Sequence, residues 1–287
     1  MRKEIFEIID PGLGATVQDR GRVGWRRFGV PPGGAMDDHA AGWANRLLDN
    51  PVGAPVVELM LQGAKFGALR PAWITVTGAD AKASVPTWRV VRVQKGDVIS
   101  FPINQSGVWT YLAVEGGFCA QRLLGSVSAY PRGGLGHALT KGDVLSCPAP
   151  THFQLPAGIA GRIVDWQEIR RYDAPPPLRV WRAPQWDYFH DIDRQRFCAT
   201  DWTVSSQSDR VGYRLTGEPL KGSVDQIISE PVLVGSIQIP TNGLPIVTMR
   251  DGPTVGGYPK LGMVDGRDLA WLAQSRPGAR VRFQLVP

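Results

Sequence analysis

The sequence predicts a mainly-β protein of barrel or sandwich type. Short runs rich in Val, Ile and aromatic residues are separated by Gly, Pro or Asn, and only two segments have helical periodicity. The 34 Gly and 24 Pro are spread along the 287 residues, which is typical of many tight turns and not of disorder. Strands and helices do not alternate, so a parallel βαβ sheet is not expected.

The predicted strands share β-branched or aromatic residues bounded by turn residues. They are Val56–Leu61, Trp73–Thr77, Arg89–Val93, Asp97–Phe101, Trp109–Val114, Gly235–Ile239, Pro245–Met249 and Ala279–Val286. Asn242 and Gly243 lie between two of these runs. This dipeptide favours a tight hairpin turn, so we expect the two strands to pair.

One or two short helices are expected among these strands. Between about Met36 and Asp49, apolar residues recur every three or four positions, which predicts a helix with Trp43 and Leu47 facing inward. Asp37 can cap its start, and Asn50-Pro51 ends it. A second, shorter helix is predicted within Gly266–Ser275.

A proline-rich stretch divides the chain into two predicted domains. Residues 173–177 form a stiff linker, which leaves an N-terminal domain at 1–172 and a C-terminal domain at 178–287. RVGWR at Arg22–Arg26 is repeated as RVGYR at Arg210–Arg214. An internal duplication is therefore a hypothesis, since five-residue matches also arise by chance.

Composition excludes several classes of function. The net charge is +6, but the 32 Lys and Arg are scattered among 26 Asp and Glu, so no basic patch for nucleic acid is expected. No apolar run is long enough to span a membrane, and the first residues do not resemble a signal peptide. The odd number of cysteines, without a CxxC pair, favours a reducing, cytoplasmic setting and argues against zinc.

The first candidate site lies in Thr16–Ala40. Gln18, Asp19 and Arg22 precede a Pro-Pro-Gly-Gly loop, and Met36 and Asp37 follow it at the start of the predicted helix. Glycines allow backbone to approach a ligand closely, and a helix start attracts anions. The residues alone favour the simpler interpretation, in which Asp37 caps the helix and Asp19 shapes the loop by pairing with Arg22.

The second candidate is the turn at Ser205–Arg214. Ser208, Asp209, Arg210 and Tyr213 offer hydrogen-bond donors and acceptors where the chain enters a strand. A structural turn with an Asp–Arg pair is again the favoured interpretation.

The third candidate is the glycine-rich loop at Arg250–Gly262. It places Asp251, Thr254, Tyr258 and Lys260 around the pair Gly256-Gly257, directly after a predicted strand. Polar groups on a loop at a strand end are typical of a barrel's functional site, but a plain glycine-rich hairpin explains the pattern equally well. No GxSxG elbow, dinucleotide-binding loop or Walker-type loop is present. The loop at Gly125–Leu139 contains His137, but no carboxylate is spaced to complete a catalytic triad with it.

Together these segments resemble a known family. PGLGATVQDRGRVGWRRFGVPPGGAMD, WANRLLDNP and the strand carrying Glu58 resemble the opening of the C-subunit family of the 5-oxoprolinases, also called allophanate hydrolase subunit 2 or the biotin-dependent carboxyltransferase family. TGAD, YLAVEGG and the GSVSAY loop are similar to its middle, and SDRVGYRL, SEPVLVGSIQIPTNGLPIVTMRDGPTVGGYPK and LAQSRPGARVRF to its C-terminal half. The resemblance runs in order from about Asp10 to Phe283.

The resemblance implies two cyclophilin-like β-barrel domains and membership of a hydrolase complex. The complex would open 5-oxo-L-proline to L-glutamate with ATP as co-substrate, together with chains like the A and B subunits of 5-oxoprolinase. Relatives within urea amidolyase transfer carboxyl groups from carboxybiotin to urea. No biotin-attachment motif of the AMKM type is present, so biotin would be carried by a partner chain.

The sequence departs from the family at one loop. The family pattern is Asp-x-Gln-Thr-Thr-Gly-Gly-Tyr, whereas Pro253 replaces the Gln and Val255 replaces the second Thr. Lost catalysis, and hence a regulatory binding role, is therefore an alternative to an active hydrolase or a carboxyltransferase component. We expect one site where the third candidate meets the other two, with Asp251, Lys260 and Asp19 as its catalytic residues.

Overall fold

The chain divides into two compact units. The computed structural model describes residues 2–148, 158–222, 224 and 226–286, so positions 1 and 287 of the predicted domain ranges lie outside the described residues. One unit comprises residues 1–22 and 33–171, and the other comprises 23–32 and 172–287. The division falls beside the proline-rich stretch. Nothing in the sequence indicates that the short segment 23–32 belongs with the C-terminal unit.

The described residues of the first unit form two antiparallel sheets and one α-helix, α1 (Asp38–Leu47). Its strands are β1 (Arg2–Pro11), β2 (Ala15–Gln18), β3 (Val56–Met60), β4 (Ala64–Ala68), β5 (Ala72–Asp80), β6 (Val90–Val93), β7 (Val98–Ser100), β8 (Ser106–Val114) and β9 (Val144–Pro148). One sheet has the order β7-β4-β1-β9 and the other β2-β3-β8-β5-β6. Short 3-10 helices lie at Pro131–Gly133 and Trp166–Glu168.

Both sheets of the first unit contribute to one apolar core. Phe6 and Phe66 from the first sheet and Ile74 and Leu112 from the second are fully buried in it. The Phe6 and Phe66 rings meet edge to face, with their centroids 6.4 Å apart. The two inner faces therefore pack as in a β-sandwich.

Helix α1 confirms the prediction from the apolar stripe. Asp37 caps it, since its side chain accepts a hydrogen bond from the Ala40 amide at 2.9 Å. Leu47 is buried as predicted, but Trp43 is only half-buried, and the Arg46 guanidinium lies 5.2 Å from its ring centroid. The indole of Trp43 is large, so a position at the edge of the apolar face of α1 buries only part of the ring.

The part of the second unit that the structure describes contains a large sheet, a small sheet and two α-helices. Its strands are β10 (Leu178–Arg182), β11 (Trp202–Val204), β12 (Gly212–Thr216), β13 (Glu230–Pro231), β14 (Ser236–Gln238), β15 (Ile246–Thr248), β16 (Val255–Gly256), β17 (Lys260–Val264), β18 (Arg280–Val281) and β19 (Phe283–Leu285). The helices are α2 (Asp191–Ala199) and α3 (Leu269–Ala273), and 3-10 turns lie at Arg26–Phe28 and Trp186–Tyr188.

The large sheet of the second unit is nearly closed into a barrel. Its order is β18-β11-β12-β15-β14-β17-β10-β19, so its two edge strands are consecutive in the chain. Only Arg282 separates them. The rings of Phe197 and Phe283 stack 4.7 Å apart, and both residues are buried. The mainly-β fold class with a barrel is thus confirmed.

Two sequence predictions are refined by the described residues. The Asn242-Gly243 hairpin is confirmed, because β14 and β15 pair antiparallel and the Gly243 amide donates to the Pro240 carbonyl at 2.8 Å. One or two helices were expected, but the described chain contains three. The missed helix, α2, is too polar to show an apolar stripe, since Asp193 and Phe197 are its only buried residues. Membrane-spanning helices are lacking in the described part of the chain.

Candidate functional site

Asp19 is held by four hydrogen bonds in the first unit. Its carboxylate accepts from the Ser128 hydroxyl at 2.6 Å, the Ser126 hydroxyl at 2.5 Å, the Val127 amide at 2.9 Å and the Gly21 amide at 2.8 Å. Burial raises the pKa of Asp19, but these four donors outweigh it and the pKa is lowered overall. Asp19 is therefore an ionised group that fixes the loop at 126–128.

Arg22 and Gln18 are anchored to the same loop. The buried Arg22 guanidinium donates to the Ser128 carbonyl, and the Gln18 amide donates to the Ala129 carbonyl at 3.1 Å. The Gln18 amide oxygen is buried and has no hydrogen-bond partner in the described chain. Three predicted site residues are thus brought together around one backbone segment.

A buried acid at Glu58 organises the loop before α1. Its carboxylate accepts from the Met36 amide at 2.7 Å and from the Tyr111 hydroxyl at 2.8 Å. The Asp37 amide in turn donates to the Tyr111 oxygen at 2.7 Å. Burial, with the nearby charges of Glu58 and Asp37, raises the pKa of Tyr111 well above its ordinary value, so the phenol stays protonated.

The backbone approach in this loop requires glycine at one position. Gly34 has a φ of 94°, and a Cβ there would lie 3.1 Å from the Arg20 backbone. The neighbouring Ala35 amide donates to the Asp19 carbonyl at 3.2 Å. Glycine was predicted to let the backbone approach a ligand closely. At Gly34 it allows two segments of the protein's own backbone to approach each other.

In the second unit, the predicted turn and glycine loop meet at a bidentate ion pair. Arg210 Nε lies 2.7 Å from Asp251 Oδ2, and Arg210 Nη2 lies 3.0 Å from Asp251 Oδ1. The Asp251 amide also donates to the Arg210 carbonyl at 2.8 Å. The side chains are 16% and 7% exposed, so the pair is largely shielded from water.

The other polar side chains of the turn at Ser205–Arg214 form hydrogen bonds within the protein. The Ser208 hydroxyl accepts from the Arg214 amide at 3.1 Å, and Asp209 accepts from the Val211 amide at 2.8 Å. The Tyr213 hydroxyl donates to the Ala273 carbonyl at 2.5 Å, which ties β12 to α3. These bonds explain the polar residues of the turn without a ligand.

Lys260 is a buried cation of the same unit. It is 7% exposed and forms an ion pair with Glu230. Gln185 contacts both, because its side chain donates to Glu230 at 2.9 Å and accepts from the Lys260 amide at 3.3 Å. Glu230 and Gln185 were not singled out in the sequence, since neither belongs to a polar cluster.

The glycine pair lies against another segment of the chain. Glu230 pairs with Gly256 in the small sheet of β13 and β16. A Cβ on Gly256 would lie 2.9 Å from Gln238 Oε1, and one on Gly257 would lie 3.2 Å from the Ile227 carbonyl. The glycines therefore allow these segments to lie close to the loop. Thr254 is buried beside them, whereas Tyr258 is 38% exposed.

The two departures from the family loop both lie at exposed positions. Pro253 and Val255 point outward from the core, and Val255 is 55% exposed. They remove hydrogen-bonding groups from the surface of the loop and leave its buried contacts in place.

The predicted site residues thus form two groups. Gln18, Asp19, Arg22, Met36 and Asp37 belong to the first unit, and the residues of the turn and the glycine loop belong to the second. That the groups share one site remains a prediction. Among the described residues, no three His, Cys, Asp or Glu side chains are grouped to hold a metal ion.

Comparison with known proteins identifies the family. Residues 28–285 match the model of a carboxyltransferase domain, subdomain A and B. The chain is 35% identical to the C subunit of 5-oxoprolinase from Haemophilus influenzae, covering 98% of this chain and 91% of that protein. It is 32% identical to the C subunit of 5-oxoprolinase from Escherichia coli, covering 97% and 90% respectively.

Solved structures show the same fold. The chain superposes on TTHA0988 with a TM-score of 0.87 at 32% identity, and it spans 55% of that protein's length. On urea carboxylase of Kluyveromyces lactis the TM-score is 0.90 at 26% identity, with 28% of that protein covered. The match to the family model and the near-complete alignments show that this chain belongs to the 5-oxoprolinase C-subunit family of carboxyltransferase-domain proteins.

Proposed function

We propose that this chain is the C subunit of an ATP-dependent 5-oxoprolinase. In complex with chains like the A and B subunits of that enzyme, it contributes to the hydrolysis of 5-oxo-L-proline to L-glutamate. The observation that carries the proposal is the alignment from end to end with the C subunit of 5-oxoprolinase, at 35% identity over 98% of this chain and 91% of the relative.

The buried charges of the second unit are the proposed catalytic centre of this chain. Lys260 and Asp251 orient the polar substrate or its transferred group, while Glu230 and Arg210 hold them in place. Opening a lactam with ATP requires positioning and charge stabilisation, and a protein nucleophile is not needed. Asp19 fixes the loop at 126–128 that Arg22 and Gln18 also contact.

The residues of the second-unit centre do not fit a triphosphate. Each of its two cations lies beside a carboxylate, Arg210 beside Asp251 and Lys260 beside Glu230, so the four groups together carry no net positive charge to attract a triphosphate. ATP is therefore proposed to bind a partner chain, and no step is assigned to it here. Biotin, if the complex uses it, would likewise be carried by another chain, because this sequence has no attachment motif.

A carboxyltransferase role is the second candidate, because the matching family model and the fold of urea carboxylase both favour it. The exposed departures Pro253 and Val255 favour a third, non-catalytic regulatory role. A cytoplasmic location is proposed from the free thiols Cys119, Cys147 and Cys198, since such thiols persist in reducing compartments.

Co-purification with the genomically adjacent gene products, followed by two assays, separates these roles. ATP-dependent glutamate formation without urea carboxylation supports the 5-oxoprolinase. Transfer of carboxyl groups from a biotinylated partner to urea supports the carboxyltransferase instead. An assembled complex that is fully active without this chain favours the regulatory role. In the active complex, Lys260→Met should lower kcat at least tenfold, while the exposed control Lys221→Met should not.

A further inference from the structure

A pocket of about 250 Å³ lies in the first unit, away from every residue assigned above. It opens where strands of the two sheets end together. β1 and β9 contribute Lys3 and Cys147, which are paired in register, and β8 leads into Glu115. Arg70 enters from the turn just before β5. The volume is below that of drug-sized sites, so a small molecule is expected.

Two polar side chains of this pocket, Arg70 and Glu115, have no hydrogen-bond partner within the described residues. The Arg70 Nε is buried without a hydrogen-bond partner, and no bond or ion pair to the Arg70 or Glu115 side chain exists within the described residues. A buried guanidinium nitrogen without an acceptor is unfavourable, and most such groups in proteins are satisfied. An arginine and a carboxylate that line one cavity without bonding each other leave both available to a ligand.

The other residues that line the pocket indicate which chemical groups the ligand carries. Ile5 and Val114 line the pocket together with proline and alanine side chains. Lys3 adds a second cation near Arg70, so this part of the pocket favours a carboxylate. Glu115 is an acceptor when it is ionised, so it favours an N–H group.

We propose that this pocket binds a small aliphatic carboxylic acid that also carries an N–H group, such as an amino acid or a lactam acid. The carboxylate pairs with Arg70 and Lys3, the N–H donates to Glu115, and the aliphatic part contacts Ile5 and Val114. The pocket is a second ligand site, distinct from the buried charges of the second unit. The inference goes beyond the proposed function and is tested by binding alone, so a failure of either is recognised separately.

The charge state of Glu115 gives the site a pH dependence. Burial raises the pKa of Glu115 to about 7. An N–H donor stabilises the ionised carboxylate, so affinity rises as the pH increases from 6 to 8. Lys3 and Arg70 are the basic residues that face the same cavity. Burial and the nearby Cys119 raise the pKa of the Cys147 thiol, so it stays neutral.

The test is calorimetric titration of the full-length chain with 5-oxo-L-proline, and with the lactone acid in which the ring N–H is replaced by oxygen. The wild-type chain should bind the lactam at least tenfold more tightly, because the lactone leaves Glu115 without a donor. Glu115→Gln should abolish the pH dependence, and Glu115→Leu, which has no acceptor for the N–H group, should abolish the preference for the lactam. Arg70→Gln should weaken lactam binding roughly tenfold to hundredfold.

Matched controls keep the result interpretable. Arg122→Gln and Glu7→Gln remove the same charges at exposed positions of the first unit and should bind like the wild type. If Arg70→Gln does not fold, Arg70→Lys keeps the charge, loses the planar fork, and should bind several-fold more weakly. No saturable binding at about 10 mM lactam would overturn the proposal, because a millimolar site would then be nearly full. Unchanged lactam binding by the Arg70 variants would also overturn the proposal. An affinity for inorganic phosphate equal to that for the lactam would overturn it as well.

Discussion

The ion pair between Arg210 and Asp251 should contribute strongly to the stability of the second unit. Asp251→Ala removes two charge-assisted hydrogen bonds, of 2.7 and 3.0 Å, and leaves a guanidinium that is only 16% exposed. Removing one partner of a buried pair costs about 3–5 kcal/mol. Since this pair retains some contact with water, we expect a loss of about 2–4 kcal/mol in the free energy of unfolding.

The assay is urea unfolding of the full-length chain, followed by circular dichroism and tryptophan fluorescence. A double-mutant cycle with Arg210→Ala should give a coupling energy of about 2 kcal/mol, because the double variant leaves no charge unpaired. The control is Asp201→Ala, which breaks the exposed pair with Arg282 at 2.8 Å and should cost about 0–1 kcal/mol. An equally small loss in the free energy of unfolding for Asp251→Ala and Asp201→Ala would show that burial does not strengthen the Arg210–Asp251 pair.

Three further outcomes follow from the first unit. Tyr111→Phe should cost about 1–3 kcal/mol in urea unfolding, because Glu58 loses its donor and the Asp37 amide its acceptor; an unchanged midpoint would contradict this network. Because the folded pKa of Asp19 is lowered, its contribution to stability is complete above the unfolded pKa and is lost as the pH falls through the folded pKa. Asp19→Asn should therefore flatten the fall in stability below about pH 4, and a curve parallel to the wild type would refute the assignment. Because the folded pKa of Glu115 is raised to about 7, the wild-type chain should lose stability as the pH rises from about 4.5 to 7. The Glu115→Gln variant should lose less stability over the same rise in pH.

Local patterns predicted the elements of the fold well, because they depend on neighbouring residues. The strand expected at Val56–Leu61 is observed at Val56–Met60, and the apolar stripe located α1 to within two residues at each end. Helix α2 was missed because its stability comes from the packing of Phe197 against Phe283, which lies far away in sequence.

The partners of the candidate site residues depend on long-range contacts and could not be predicted. The hydroxyls that hold Asp19 come from residues more than 100 positions away. Glu58 is an acid within an apolar strand, which is a signal of function or of a buried network, but its donor Tyr111 lies 53 residues further on. The glycines of the third candidate were predicted to shape a loop, and only the structure shows that they allow Ile227 and Gln238 to approach.

If this chain is a necessary component of a 5-oxoprolinase, its omission from the assembled enzyme should abolish turnover. L-glutamate formation from 5-oxo-L-proline and ATP is measured with the purified partner proteins, with and without this chain. We expect turnover only when all components are present, and none from this chain alone. Equal turnover without this chain would show that it is not a necessary component, and turnover by this chain on its own would show that it is not one subunit of a larger enzyme.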